Sequence, residues 1–302
     1  MKETDQNDQP SNNNLHQNNI SRREFLAAAA AAPLMMSPLM QTVVNAQPNK
    51  QSMGISSSVP LKGKVTLLPF DYRNVKLNPS RWQQQYQSAR DFYYSVPDDD
   101  ILCGFRRAAG LDAPGKPIGG WASPNSSVIF RQWLQAMART SLANNDTDLR
   151  NKAIKLVDEW AKTLPANGDP RMRHYPWEKT LGGLSDMKQY AGYEEVVPLM
   201  DKITQWAIEN LDRTRTPAAN KPWDLHSGIP LEWYTLSENL YRAYLVTGDK
   251  KYKDFGDVWR NDSYWNKFAD TSDPKDAHGV HAYSHCNSFS GAAMDQTYPR
   301  KW

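Results

Sequence analysis

The chain has 302 residues, with 36 Lys and Arg against 33 Asp and Glu and a formal net charge of +3, so it carries no electrostatic footprint for nucleic acid. Hydrophobic residues make up 39% and no stretch of 18 apolar residues occurs; a core is within reach, and an ordinary membrane-spanning helix is not. Two cysteines, Cys103 and Cys286, exclude a disulfide framework and a zinc site built from several thiolates.

Residues 1–20 are polar and rich in Asn and Gln. Ser21-Arg22-Arg23-Glu24-Phe25-Leu26 follows, then six alanines and Pro33-Leu34-Met35-Met36. Twin arginines before a short, weakly apolar run read as a twin-arginine export signal over residues 1–46, with Val44-Asn45-Ala46 as the small-residue cleavage site. This predicts a periplasmic or extracellular protein that carries no membrane segment after cleavage. Residues 47–63 read as a disordered tether. Lys64-Val65-Thr66-Leu67-Leu68 is the one convincing strand.

From residue 80 the periodicity is helical. Arg81–Tyr94 places Trp82, Tyr86, Ala89 and Tyr93 on one stripe. Pro97 and the acids Asp98, Asp99 and Asp100 stop that helix and start a second, which Gly110 closes. Cys103 falls on the apolar stripe of this second helix and reads as inert core.

A repeat follows. Asn145–Asp148, Gly192–Glu195 and Gly248–Lys250 each open a helix that carries a tryptophan: Trp160, Trp206 and Trp259, spaced 46 and 53 residues apart. Each follows a longer apolar helix, at 127–142, 176–190 and 231–246. The unit is a helical hairpin of about 50 residues, the signature of a stacked repeat. The predicted fold is all-α, with hairpins forming a partial (α/α)6-type toroid over residues 64–302. Aromatic segments containing Trp121, His174, Trp177 and Trp223 precede the first helices, all at one end, where loops on a rigid scaffold build sites.

Several segments in order resemble the β-L-arabinofuranosidase-like glycoside hydrolases, family 127 and its relatives. These are Leu102–Leu111 with Gly119-Gly120-Trp121; Tyr175-Pro176-Trp177-Glu178-Lys179 with Gly182-Gly183-Leu184; Ser237-Glu238-Asn239-Leu240-Tyr241; and His281-Ala282-Tyr283-Ser284-His285. The resemblance implies a six-hairpin glycosidase fold, a carbohydrate substrate and cleavage of furanosides in plant-type polysaccharide. It also implies a cysteine nucleophile held by zinc, whose positions in the family fall further along than Trp302. A truncated or divergent member is therefore expected, with no cofactor in this chain and zinc reserved for a full-length relative. An incomplete toroid is expected to present an apolar flank to another copy or to a missing C-terminal half. Ala122 and Glu178 depart from the family's usual glutamate and histidine at those places.

Glycoside hydrolysis uses two carboxyl groups, one protonated and one ionised. Glu178, beside Trp177 at a helix start, is a candidate whose pKa burial would raise; Glu238 is the second, which the resemblance turns toward the pocket from about two turns into its helix. Trp121, His174, Trp177, His281 and His285 are the expected sugar contacts, and Asp186 and Glu232 are weaker acid candidates. His278, His281, His285 and Cys286 have partial metal-ligand spacing, but Gly279 interrupts a helix there, and the reading preferred is a turn with no metal. Two alternatives stand beside hydrolysis: a polysaccharide lyase using Arg173, His174 and Tyr175, and a non-catalytic sugar-binding protein.

Overall fold

The computed structural model describes residue 73 and residues 76–119, 127–172, 174–211, 232–270 and 282–295. The predicted strand at 64–68, the export signal and the tether lie outside the described residues.

Helix α1 (Arg81–Ser95) starts at Ser80, whose hydroxyl accepts from the Gln83 amide at 3.3 Å. It ends where Pro97 holds Val96 extended. Helix α2 (Asp98–Ala108) carries three acids in its first turn. Asp98 also ties it to Lys152 and Lys155, at 2.7 and 2.8 Å. It closes at Gly110 (φ +71°), with the amides of Gly110 and Leu111 returning to the carbonyls of Arg107 and Arg106.

Three hairpins follow. The first pairs α3 (Ser127–Asn144) with α4 (Thr147–Ala161). Asp146 caps α4 by accepting from the Leu149 amide at 2.9 Å, and also accepts from Arg90 of α1. The second pairs α5 (His174–Gln189) with α6 (Val196–Asn210). The third pairs α7 (Leu236–Thr247), entered by a 3-10 turn at Trp233–Thr235, with α8 (Lys250–Val258). Helices α9 (Asp262–Asp270) and α10 (Ala282–Asp295) complete the described chain. All regular structure among the described residues is helical, and no described helix is long and apolar enough to cross a membrane.

The first helices α3, α5, α7 and α10 pack side by side in chain order, each of the first three backed by its hairpin partner α4, α6 or α8. Side-chain levels show that they run the same way: Gln135, Gly182 and Asn239 share one level, and Arg139, Asp186 and Arg242 share the next. This is the layered arrangement of a partial α/α toroid, as the hairpin repeat predicts. Trp160, Trp206 and Trp259 are all buried in its core.

Two features draw the first helices together. A Cβ on Gly182 would sit 2.5 Å from Gln135 Nε2 and 2.7 Å from Asn239 Nδ2, and one on Gly183 would sit 2.9 Å from the Arg131 carbonyl. Only glycine leaves room for α5 between its neighbours. One turn on, the fully buried Asp186 accepts from Arg139 Nε of α3 at 2.7 Å and from Arg242 of α7. Asp186 is thus a clamp across three helices rather than an acid at a mouth.

Two sequence expectations are corrected. Trp82 is 68% exposed and Ala89 is exposed, so the inward face of α1 runs through Tyr86, Arg90, Tyr93 and Tyr94. The Arg90–Asp146 pair and the edge-on contact of Tyr93 with Trp133, 5.7 Å between centroids, set that rotation. The helix at 262–270 is an addition to the hairpin pattern; it starts on the Asn261 carbonyl, which accepts from the amides of Tyr264 and Trp265.

Asp186→Ala should remove about 3 kcal/mol of stability, because it leaves the guanidinium groups of Arg139 and Arg242 without their shared acceptor. Urea unfolding at pH 7 with an unchanged m-value measures this; a loss under about 1 kcal/mol would show that the clamp is not structural.

Candidate active site

Tyr175, Glu178 and Lys179 stand at i, i+3 and i+4 in the first turns of α5, and so share one face of it. Glu178 is fully buried. Its Oε1 accepts from Lys179 Nζ at 3.1 Å, while Oε2 has no hydrogen-bond partner. Burial pushes the Glu178 carboxyl up to about 7; the Lys179 ammonium opposes this, and the negative charge of Glu238 adds to it. The Asn239 amide beside it acts weakly in the same direction as Lys179. For Lys179 itself, burial disfavours the charge, but Glu178 outweighs burial and leaves the ammonium above its ordinary value. That ammonium also lies 4.8 Å from the centre of the Tyr175 ring.

The next two first helices bring their own N-terminal ends to this place. Glu238 lies half-buried in the first turn of α7. Tyr283, half exposed at the start of α10, shares a hydrogen bond of 2.5 Å with Tyr175 through their hydroxyls. The Tyr234 hydroxyl shares one of 2.8 Å with Ser284 Oγ. His285 is held between two rings, 4.1 Å from that of Tyr234 and 4.7 Å from that of Tyr264. Burial pushes the Tyr234 hydroxyl up to about 12. It pushes that of Tyr175 further, with the Tyr283 hydrogen bond adding to the effect. The cluster therefore holds the carboxyl groups of Glu178 and Glu238, with Glu232 near enough for its charge to act on Tyr175 and Tyr234, together with an ammonium, an imidazole and several phenols, gathered from α5, the turn before α7, α7 itself, α9 and α10.

Residues 160–294 match the family model described as Beta-L-arabinofuranosidase, GH127 catalytic domain. That part of the chain is similar to the GH127 catalytic domain. The match runs from the last turn of α4 into α10 and takes in every residue of the cluster. A search among curated proteins gave no match.

The family resemblance implies a zinc centre. Among the described residues, no three His, Cys, Asp or Glu side chains come together to hold a metal ion. Cys103 is buried in α2, and Cys286 is exposed on α10.

The GH127-like segment distributes the predicted site residues unequally. Glu178 and Glu238 are brought within electrostatic reach of each other, and His285 lies in the same cluster. Trp177 does not line the mouth. It is fully buried, donates from Nε1 to the Ile203 carbonyl at 3.0 Å and packs edge-on against Phe255. His174 is also buried, with its ring edge-on to Trp259 at 5.5 Å. Both side chains point into the hairpin core between α5 and its outer helices. Glu238 lies in the first turn rather than two turns in, because the 3-10 turn takes up the residues before Leu236. Residues 282–285 are helical, not a turn. Trp121, Arg173, His278 and His281 lie outside the described residues. Tyr234 and Tyr283 belong to the site without being singled out by the sequence; the i, i+3, i+4 spacing of Tyr175, Glu178 and Lys179 is the signal that could have marked this face.

Two outcomes follow from these placements. Trp177→Ala should cost about 3–5 kcal/mol as a core truncation, read by thermal or urea unfolding. Glu178 titrates near 4.5 in the unfolded chain and near 7 in the folded one. Its contribution to stability is therefore complete below pH 4.5 and declines as pH rises to 7, by about 3 kcal/mol. Glu178→Gln keeps the neutral shape and cannot ionise, so its stability relative to the parent chain should grow across that window. A difference independent of pH would show that Glu178 ionises normally.

Proposed function

We propose that the chain is an exported glycoside hydrolase acting on β-L-arabinofuranosides or similar side-chain sugars of plant-type polysaccharide. The observation that carries the reading is a buried carboxyl group raised to about 7, beside a second, half-buried carboxylate, at the converging ends of a GH127-like helix set. Glu178 is the general acid: near neutral pH it retains a proton, and Oε2 is the atom with no protein partner. Glu238 is the ionised partner that meets the sugar or a water on its other face. Lys179 orients Glu178, and Tyr283 and His285 offer hydrogen bonds to sugar hydroxyls. Glu178 is enclosed in the free protein, so the proposal requires its neighbours to part when sugar binds. Residues 1–46 direct export, and residues 47–63 tether the helical part.

The lyase alternative finds less support. A lyase base must lose its proton readily, whereas burial and the Tyr283 hydrogen bond both hold the proton on Tyr175.

The test is hydrolysis of β-L-arabinofuranosides with a poor (alkyl) and a good (p-nitrophenyl) leaving group. The expected kcat/KM falls above about pH 7, as Glu178 loses its proton. Glu178→Gln should lower kcat by about 10²–10⁴-fold for the alkyl glycoside and far less for the p-nitrophenyl one, because only the first needs an acid. Glu238→Gln should slow both alike. Full activity of Glu178→Gln on the alkyl substrate, or products absorbing in the ultraviolet from a new double bond, would overturn the proposal.

A further inference from the structure

A cavity lies away from the carboxyl cluster, between α2, α3 and the segment that leads from α4 into α5. It encloses about 90 Å³, and Gly104, Phe105, Leu164, Pro170 and Met172 form most of its wall. Into this mostly apolar space α3 sends Arg131, which is 1% exposed. Its Nε and Nη1 have no hydrogen-bond partner, and its Cζ stands 6.0 Å from the centre of the Phe105 ring. The other guanidinium at the wall, Arg171, is already engaged, donating from Nη1 to the Thr163 carbonyl at 2.8 Å.

A buried cation with free N–H groups is costly unless an anion meets it. The cost is visible in Arg131 itself, whose burial pulls its pKa down to about 9. We propose that this cavity is a binding site for a small carboxylate, with the Arg131 guanidinium donating to its oxygens and the apolar wall covering a short hydrocarbon stem. A carboxylate fits the observations better than inorganic phosphate does. Arg131 is the guanidinium at the wall whose Nε and Nη1 are unsatisfied, and walls of Phe105, Leu164 and Met172 suit carbon rather than further charged oxygen. A volume of about 90 Å³ corresponds to roughly three waters at their liquid volume, which is the scale of acetate or propionate. The site is distinct from the carboxyl cluster. Its Met172 accepts a hydrogen bond through Sδ from Thr180 of α5, and Thr180 lies about 200° round the helix from Glu178.

Sodium propionate is the probe, with thermal unfolding of the full chain as the readout and sodium chloride and sodium phosphate at matched ionic strength as references. Propionate should raise Tm saturably, by about 3 °C, above both references. The rise should vanish in Arg131→Met, which removes the cation. It should also vanish in Ala108→Trp, which leaves Arg131 in place and closes the cavity from the exposed last residue of α2; this second variant keeps the test valid if Arg131→Met fails to fold. Equal shifts from phosphate and propionate, a propionate shift that survives in Ala108→Trp, or no shift in the parent chain would each overturn the proposal.

Discussion

Asp186 holds one carboxylate between two guanidinium groups drawn from helices on either side of it, and this places α3, α5 and α7 at fixed levels relative to one another. A buried ion set of this kind adds little net energy over an apolar replacement, but a mispaired register would strand its charges, which makes it a device for alignment. The glycine pair one turn earlier lets the helices approach closely enough for it to work. With Gly182 and Gly183 allowing contact and Asp186 fixing the level, the N-terminal turns of α5 and α7 arrive side by side. The nearness of Glu178 to Glu238 follows from that alignment.

That nearness has an electrostatic result. Two carboxyl groups that share a low-dielectric space cannot both ionise cheaply, and the more deeply buried one keeps its proton. Lys179 moderates this without reversing it, since an adjacent ammonium lowers the carboxyl less than burial raises it. The same helix thus provides the scaffold through Asp186 and the raised carboxyl through Glu178, two turns apart.

The hairpin order was legible in the sequence because each outer helix is amphipathic and ends near a tryptophan that must be buried. The raised Glu178 carboxyl was legible in its direction but not in its cause, since Trp177, its neighbour in sequence, packs against Ile203 and Phe255. The direction of Trp177 was not legible. From Trp177 to Met187 every residue of α5 is buried, so the helix has no polar face against which an inward and an outward side can be told apart. Trp82 misled in the opposite way. Its stripe looks apolar, but Arg90 reaching Asp146, 56 residues away, turns the helix, and local periodicity carries no trace of such a contact. Tyr283 and Tyr234 depend on the meeting of α5 with α7 and α10, which no single segment encodes.

Because each first helix rests mainly on its neighbours in chain order, cohesion in this part of the molecule is nearly one-dimensional. A defect at one hairpin is felt by the next through a single shared face. Helices α5 and α7 are gripped on both flanks and backed by α6 and α8. Their amides can open to solvent only when both lateral faces have come apart, which makes them the slowest-exchanging segments and the last shelter of the protein's order.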